Sequence, residues 1–327
     1  MASRLERGSL VVVFGGSGFI GRHAVQALAR EGWRVRAAVR RPDLAGHLQP
    51  MGAVGQIQPV QANLRYPESV RRAVAGAEAV VNLVGIVAKA GPQTFDAVHI
   101  AGARAVASAA REVGAAALVH VSALGASRQA RSRYARTKAA GEAAVLQEFP
   151  GAVILRPALV FGPQDQLFNR FANLARFSPV LPLIGAGRTR LQPVFADDVG
   201  RAIAAAAAGR AKPGTVYELA GPEVITFRQL LNRVQEWSAR KRLYLPLPFW
   251  AAKLGALLTL PLPNRMRPLT VDQVRMLQSD NVLSAAAQAD RRTLAGLDIV
   301  HPHTMETVVP GYLERFQPHG QYEHYRG

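Results

Sequence analysis

The sequence predicts an α/β protein: a doubly wound parallel sheet followed by a smaller C-terminal α+β lobe. Three observations carry that prediction. Short apolar runs alternate with segments of helical spacing through the first half of the 327 residues. A glycine-rich turn joins the first run to the first helix, and after Pro157 proline becomes frequent and the elements shorten. Repeated strand–helix units of this length form a parallel sheet with helices on both faces, and right-handed crossovers wind it in both directions.

The elements follow in order. Leu10–Phe14 is a short apolar run, read as a buried strand. Phe19–Glu31 has helical spacing through Ile20, Ala24, Ala27 and Leu28 and stops at Gly32. Arg34–Val39 alternates as a second strand, and Gln56–Val60 is a third, followed by a helix over Pro67–Ala75. Ala79–Val84 is the fourth strand, before a helix near Phe95–Val113. Ala117–Val121 is the fifth, before a helix near Arg133–Glu148, and Ala152–Leu155 is the sixth. Farther on, Phe168–Phe177, Asp198–Ala208 and Thr226–Ser238 read as helices. Asp197 or Asp198 and then Thr226 stand where caps belong. The expected division is a first domain over 1–162, with 192–208 returning to it, and a smaller lobe over 163–327.

Composition narrows the function. With 49% hydrophobic and 19% charged residues the chain is neither disordered nor fibrous. It has no cysteine, which excludes a disulfide framework, a thiol nucleophile and cysteine-held zinc or iron–sulfur. His301-Pro-His303 lacks a second ligand pair, and no calcium or P-loop pattern is present, so no metal is expected. Lys and Arg outnumber Asp and Glu by 40 to 22, a net +18, and the pI is near 11.3. Such a charge favours an anionic partner: nucleic acid, an anionic membrane surface, an acidic protein or a phosphorylated ligand. Aromatic content of 7% without a basic–aromatic stacking pattern or a nucleic-acid motif argues against the first. Met1–Ser9 is short and polar, and no run approaches the ~20 apolar residues of a spanning helix. The expectation is a soluble or peripheral protein on the cytoplasmic side.

The strongest motif is Val11-Val12-Val13-Phe14-Gly15-Gly16-Ser17-Gly18-Phe19-Ile20-Gly21. It reads as strand, tight turn and helix start. Gly15 permits the turn, Gly18 lets a pyrophosphate approach the backbone, and Gly21 lets helix pack on strand. Gly15, Ser17, Gly18, Phe19, Ile20 and Gly21 are therefore the candidate phosphate cradle of a Rossmann-type site, with the helix dipole favouring the anion. A protein holding NAD ends its second strand with an acid for the ribose hydroxyls. This one ends it with Arg40-Arg41, and Arg22 follows the last glycine. Guanidinium groups there suit a 2′-phosphate, so NADP(H) is the expected cofactor.

Tyr134 and Lys138 are four apart on a predicted helix and so share a face. A nearby ammonium should lower the tyrosine from its usual value near ~10. Tyr134 would then exchange a proton beside a nicotinamide, with Lys138 also on the ribose.

With these segments in order, the chain resembles the short-chain dehydrogenase/reductase superfamily in its extended or atypical form. The matching pieces are Gly15–Gly21, Asn63-Leu64, Asn82-Leu83-Val84-Gly85, Val121-Ser122-Ala123, Tyr134 with Lys138, Leu155–Gly162 and Val194–Val199. The resemblance implies that Asn63 and Leu64 lie near the adenine, and Val84, Gly85 and Ile86 near the ribose. It puts Pro157, Leu159 and Val160 near the nicotinamide. Enzymes of the superfamily place hydroxyl residues after the fifth strand. Here only Ser122 remains, ahead of Ala123-Leu124, so Tyr134, Lys138 and Ser122 are a catalytic set or its vestige. More narrowly, Asn82–Gly85, Val121–Ala126, Ser132–Glu142 and Val194–Val199 resemble the accessory-subunit family of respiratory complex I known as subunit nine of the alpha subcomplex, in a bacterial form. That resemblance implies tightly held NADPH, a structural role where the peripheral and membrane arms meet, other complex I subunits as partners, and a place on the cytoplasmic face of the inner (plasma) membrane. The alternative is a working NADP-dependent reductase, dehydrogenase or epimerase, with a link to quinone metabolism as one form of it.

One stretch stands apart. From Trp237 to Val271 there is no acid, while Arg240, Lys241, Arg242, Lys253, Arg265 and Arg267 are basic. Within it Phe249–Leu260 reads as a helix apolar nearly all round, bounded by Pro248 and Pro261. Such a helix is buried, docked on a partner or laid into a membrane interface. The acid-free basic flanks over 240–267 point to an anionic membrane surface, or to an acidic partner lying on it. Asp197 and Asp198 read as helix-start residues pointing apart, and Glu218, Glu223 and Asp272 show no partner in the sequence.

Overall fold

The computed structural model describes residues 8–89, 91–259 and 270–318. Its chain forms two compact units. The first is drawn from Met1–Pro157, Ala196–Leu219 and Leu283–His301, and the second from Ala158–Phe195, Ala220–Val282 and Pro302–Gly327.

The first unit opens with β1 (Leu10–Phe14), α1 (Phe19–Arg30), β2 (Arg34–Val39), β3 (Ile57–Gln61), α2 (Pro67–Val74), β4 (Ala79–Asn82), α3 (Gly102–Glu112), β5 (Ala117–Val121), α4 (Arg133–Glu148) and β6 (Val153–Pro157). The chain then enters the second unit through β7 (Val160–Phe161), α5 (Leu167–Phe177), β8 (Val180–Ile184), β9 (Arg190–Leu191) and β10 (Val194–Phe195). It returns to the first with α6 (Ala196–Ala207) and β11 (Val216–Leu219). The second unit resumes with β12 (Ile225–Thr226), α7 (Phe227–Trp237), β13 (Leu243–Leu247), α8 (Phe249–Leu258) and α9 (Val271–Met276). Short α10 (Ala285–Ala289) belongs to the first unit and α11 (Met305–Leu313) to the second.

Seven parallel strands make the sheet of the first unit, in the order β11-β6-β5-β4-β1-β2-β3. Every residue of β1 and β4 is buried, as expected of apolar strands covered on both faces, the polar Asn82 at the end of β4 included. On one face, Val12, Phe14, Val80, Leu118 and Ile154 pack with Val70 and Val74 of α2 and Val106 and Ala110 of α3. On the other, α6 lies against β4, β5, β6 and α1. That crossing is very close: a Cβ at Gly200 would stand 2.7 Å from the backbone of His23.

Two differences from the sequence reading stand out. The segment read as a helix from Phe95 instead opens as a π-helical turn, Asp96–Ala101, before α3. The wide turn buries the adjacent residues Val98 and His99 together. The seventh strand, β11, does not stand out in the sequence because buried Glu218 interrupts its apolar pattern. Glu218 is satisfied by the Ser284 N–H (2.8 Å), and its own N–H donates to Arg292 O (2.9 Å). Glu223 likewise has a partner, Arg233, at 2.8 Å.

In the second unit β8 pairs with β13 and β7 with β10 in parallel, and β9 pairs antiparallel with β12. Its core joins Phe161, Phe168, Phe171, Phe227, Leu230 and Leu231. Thr226 caps α7, closing a reciprocal box with Gln229.

Candidate functional site

The sheet order reverses between β1 and β4, and the carboxyl ends of such strands leave a crevice. A cleft of about 240 Å³ lies there, within the first unit. Of the residues singled out in the sequence, Gly15, Ser17, Gly18, Arg40, Asn63, Leu64, Val84, Gly85 and Ile86 line it. Arg65, Gln93 and Val98 join them unforeseen.

The floor is the glycine turn. Gly15 has φ +82°, a left-handed value that favours glycine. A Cβ at Gly21 would sit 2.2 Å from Gly15 O, and one at Gly18 would sit 3.2 Å from the same oxygen. The turn is folded against the start of α1, whose cap residue Gly18 offers no side chain to the first-turn amides. Those amides, at Phe19 and Ile20 among others, are left for an anion. This cradle fits a dinucleotide pyrophosphate. Arg22 lies outside the lining, with a buried Nε that has no partner.

The rim at the β2 and β3 ends is cationic. Arg40 and Arg65 line it, and no carboxylate does. Arg41 is diverted, donating from Nε (3.0 Å) and from its terminal nitrogen (2.6 Å) to Asp43. Asn63 Oδ1 accepts the Arg65 N–H (3.2 Å), and Ser69 Oγ accepts from Asn63 N (3.0 Å) and donates to Asn63 O (2.9 Å). The turn carrying Arg65 is thus held at both ends.

The β4 wall is tied to the helix bearing Tyr134 and Lys138. Thr137 Oγ1 has one proton and two backbone carbonyls, Arg133 O and Tyr134 O, each at 3.0 Å. It therefore accepts from His99 Nδ1 at 2.9 Å. His99 Nε2 is left with its lone pair, which accepts the Ile86 N–H at 3.1 Å. Burial, then the charge of Lys138, pushes His99 down to about 3 and keeps it neutral. Its ring also meets Tyr134 edge to face, 5.5 Å between centroids.

A second histidine lies in the same region. His120 faces Asn82 across the β4–β5 register. Asn82 Oδ1 accepts the Val84 N–H (3.1 Å), so its Nδ2 donates to His120 Nδ1 (3.2 Å). The His120 proton is therefore on Nε2, which is buried without a partner. Burial, then Lys138, then His99, pushes His120 down to about 3. Neither histidine was singled out in the sequence. An ionisable residue inside an apolar strand, as in Ala117–Val121, was the available signal.

The expected lowering of Tyr134 does not occur: burial pushes the phenol up to about 12. The spacing puts Lys138 on the same helix face, but its Nζ donates to Val121 O (3.0 Å). The ammonium packs against Gly85, where a Cβ would stand 3.1 Å from Nζ. Burial pulls Lys138 down to about 8, against the opposing pull of Glu142. Ser122 is buried and its Oγ has no hydrogen-bond partner. Pro157 ends β6 and its carbonyl accepts the Leu124 N–H (2.8 Å). Leu159 and Val160 belong to the second unit, where Leu159 N–H donates to Asn281 Oδ1 (2.8 Å) and Val160 pairs with Val194. Asp197 and Asp198 do diverge, one to His23 Nδ1 (3.7 Å) and the other to Arg201 (3.1 Å). Both lie inside the first turn of α6 rather than at a cap.

In the second unit α8 buries only Ala252 and Ala256. Trp250 is 71% and Leu258 73% exposed, and Leu254 and Leu257 lie on the same open face. Of the basic stretch 240–267, Arg265 and Arg267 lie outside the described residues. Among the described residues no helix is long and apolar enough to cross a membrane, and no cluster of three His, Asp or Glu could hold a metal ion.

This sheet order, glycine cradle and tyrosine–lysine helix define a dinucleotide-binding protein of the short-chain dehydrogenase/reductase kind. The chain belongs to the NAD dependent epimerase/dehydratase family, whose model matches residues 11–220. It is 34% identical to NADH dehydrogenase (ubiquinone) 1 alpha subcomplex subunit 9 of Arabidopsis thaliana, over 96% of this chain and 79% of that protein. It is 35% identical to the Mus musculus protein of the same name, over 76% and 68% of the respective chains. Ceramide reductase of Caulobacter vibrioides is 36% identical over 60% of each chain. An NADPH-dependent quinone oxidoreductase of Escherichia coli, solved with NADPH, shares the fold: TM-score 0.72, 20% identity, 93% of this chain and 99% of that one.

Proposed function

We propose that the protein is an accessory subunit of respiratory complex I that holds NADP(H) and has a structural role at the junction of the peripheral and membrane arms. The observation that carries this reading is the 34% identity to an alpha subcomplex subunit 9 over 96% of the chain. The site supports a holding role rather than turnover. Lys138 Nζ is held by the Val121 carbonyl, and burial keeps the proton on Tyr134. The Oγ of Ser122, directly after β5, has no hydrogen-bond partner.

The choice of NADP(H) rests on the rim, which offers two guanidinium groups and no carboxylate for ribose hydroxyls. A nicotinamide nucleotide bound there carries hydride chemistry. The chain's own contribution is to seat the pyrophosphate on α1, keep a proton on Tyr134, and hold the Gly85–Ile86 wall through His99. Bound nucleotide stabilises the unit because only the folded form binds it. The exposed face of α8 and its acid-free basic flanks fit an anionic membrane surface, on the cytoplasmic face of the inner (plasma) membrane.

Extraction of the protein from its native membrane with a mild detergent tests the reading. It should migrate with complex I subunits and retain NADP(H) through gel filtration. A chain that runs alone, exchanges nucleotide rapidly and oxidises NADPH with a carbonyl or quinone would establish the alternative, a reductase of the same superfamily. That alternative is favoured by the retained Tyr134–Lys138 helix and by the ceramide reductase relative. Under it, Tyr134→Phe abolishes NADPH oxidation.

A further inference from the structure

We infer that Arg65 is a specificity-determining residue for the 2′-phosphate, forming with Arg40 the two jaws of a clamp; the inference rests on the NADP(H) reading above. Arg40 directly follows the last residue of β2, and Arg65 follows β3 by a short turn. The two strands are adjacent and parallel, with Val39 opposite Gln61. Neighbouring strands run about 5 Å apart, so both side chains leave one edge of the cleft and both line it.

The two arginines adjacent in sequence do not both serve. Arg41 is held in a two-point ion pair by Asp43. No ion pair engages Arg40 or Arg65 among the described residues, so their charge stays available to an anion. Arg65 also sits on a prepared backbone. Its N–H is bonded to Asn63 Oδ1, Ser69 Oγ braces the same turn, and its guanidinium lies 5.6 Å from the Tyr66 ring centroid. Such anchoring reduces the ordering cost when a phosphate is gripped. Among the described residues no carboxylate lines the rim to take both hydroxyls of a bare ribose diol, whereas two guanidinium groups favour a dianionic phosphate.

The test is equilibrium binding of NADPH, NADH and 2′,5′-ADP to the full chain by calorimetry. Arg65→Gln should weaken NADPH and 2′,5′-ADP by roughly 10- to 100-fold, the value of a charge-assisted contact, and leave NADH within about threefold. Arg65→Lys should recover part of the loss. Equal weakening of NADPH and NADH would assign Arg65 to the adenine or to the fold and overturn the inference, as would no weakening at all. If Arg40→Gln alone costs NADPH affinity, the clamp falls but the cofactor reading stands. If the unaltered chain prefers NADH, the cofactor reading itself falls. Thermal unfolding without nucleotide confirms that each variant is folded.

Discussion

Mild acid should destabilise this protein far more than its surface charges suggest, through two histidines. His99 and His120 are each 2% exposed, and both are held from the usual 6.5 down to about 3, burial being the main cause. The unfolded chain takes up two protons as the pH falls below about 6.5, while the folded chain refuses them until about pH 3. Stability is therefore fully present above about 6.5 and is lost as the pH falls through that window. Each histidine contributes about 1.4 kcal/mol per pH unit where the difference is one full proton, so the pair contributes nearly 3 kcal/mol per unit around pH 5. That is a large share of the ~5–15 kcal/mol typical of a domain. The assay is urea unfolding at closely spaced pH values, comparing the native chain with His99→Gln, His120→Gln and the double variant. The slope of stability against pH should fall by about half in each single variant and nearly to the carboxylate background in the double. Identical slopes in the native chain and the double variant would refute the reasoning, whatever the absolute stabilities.

Three further outcomes follow from the same geometry. Ser122→Ala removes a buried hydroxyl with no partner, so it should leave stability unchanged or raise it by about 1 kcal/mol, read by urea midpoint, and nucleotide content should be unaltered. Gly21→Ala drives a methyl to 2.2 Å from Gly15 O; calorimetry should show loss of NADPH binding, and the melting curve a loss on the order of 3 kcal/mol. Replacing Trp250 and Leu254 together by serine should weaken sedimentation with phosphatidylglycerol vesicles by roughly tenfold while leaving NADPH binding intact. Unchanged sedimentation would remove α8 from the membrane contact.

β1, buried on both faces, writes itself as an unbroken apolar run, whereas β2 was legible by its alternation, and β4 and β5 although Asn82 and His120 interrupt their apolar runs. The glycine turn was legible because close packing against α1 leaves no room for a Cβ at Gly21. β11 was hidden by a buried acid whose partner, Ser284, lies 66 residues away. The spacing of Tyr134 and Lys138 located the pair, but it carried no information on which acceptor the ammonium would choose. The basic rim illustrates the same limit. Adjacency suggested Arg40 with Arg41; Arg41 pairs with Asp43, and Arg65, which adjacency does not reveal, lines the cleft beside Arg40. Periodicity reports burial well; it reports side-chain partnership only when the partner is local.

The interrupted chain path of the first unit sets a schedule for its synthesis. When the ribosome has released Pro157, β6 is still an open edge and the face that α6 will cover is bare. Residues 158–207 must follow before α6 covers that face and 158–219 before β11 pairs the edge, several seconds at roughly 5–20 residues per second, and Ser284 reaches Glu218 later still. For that interval the nascent polypeptide presents an uncovered apolar face and an unpaired strand edge, the surfaces through which incomplete chains associate.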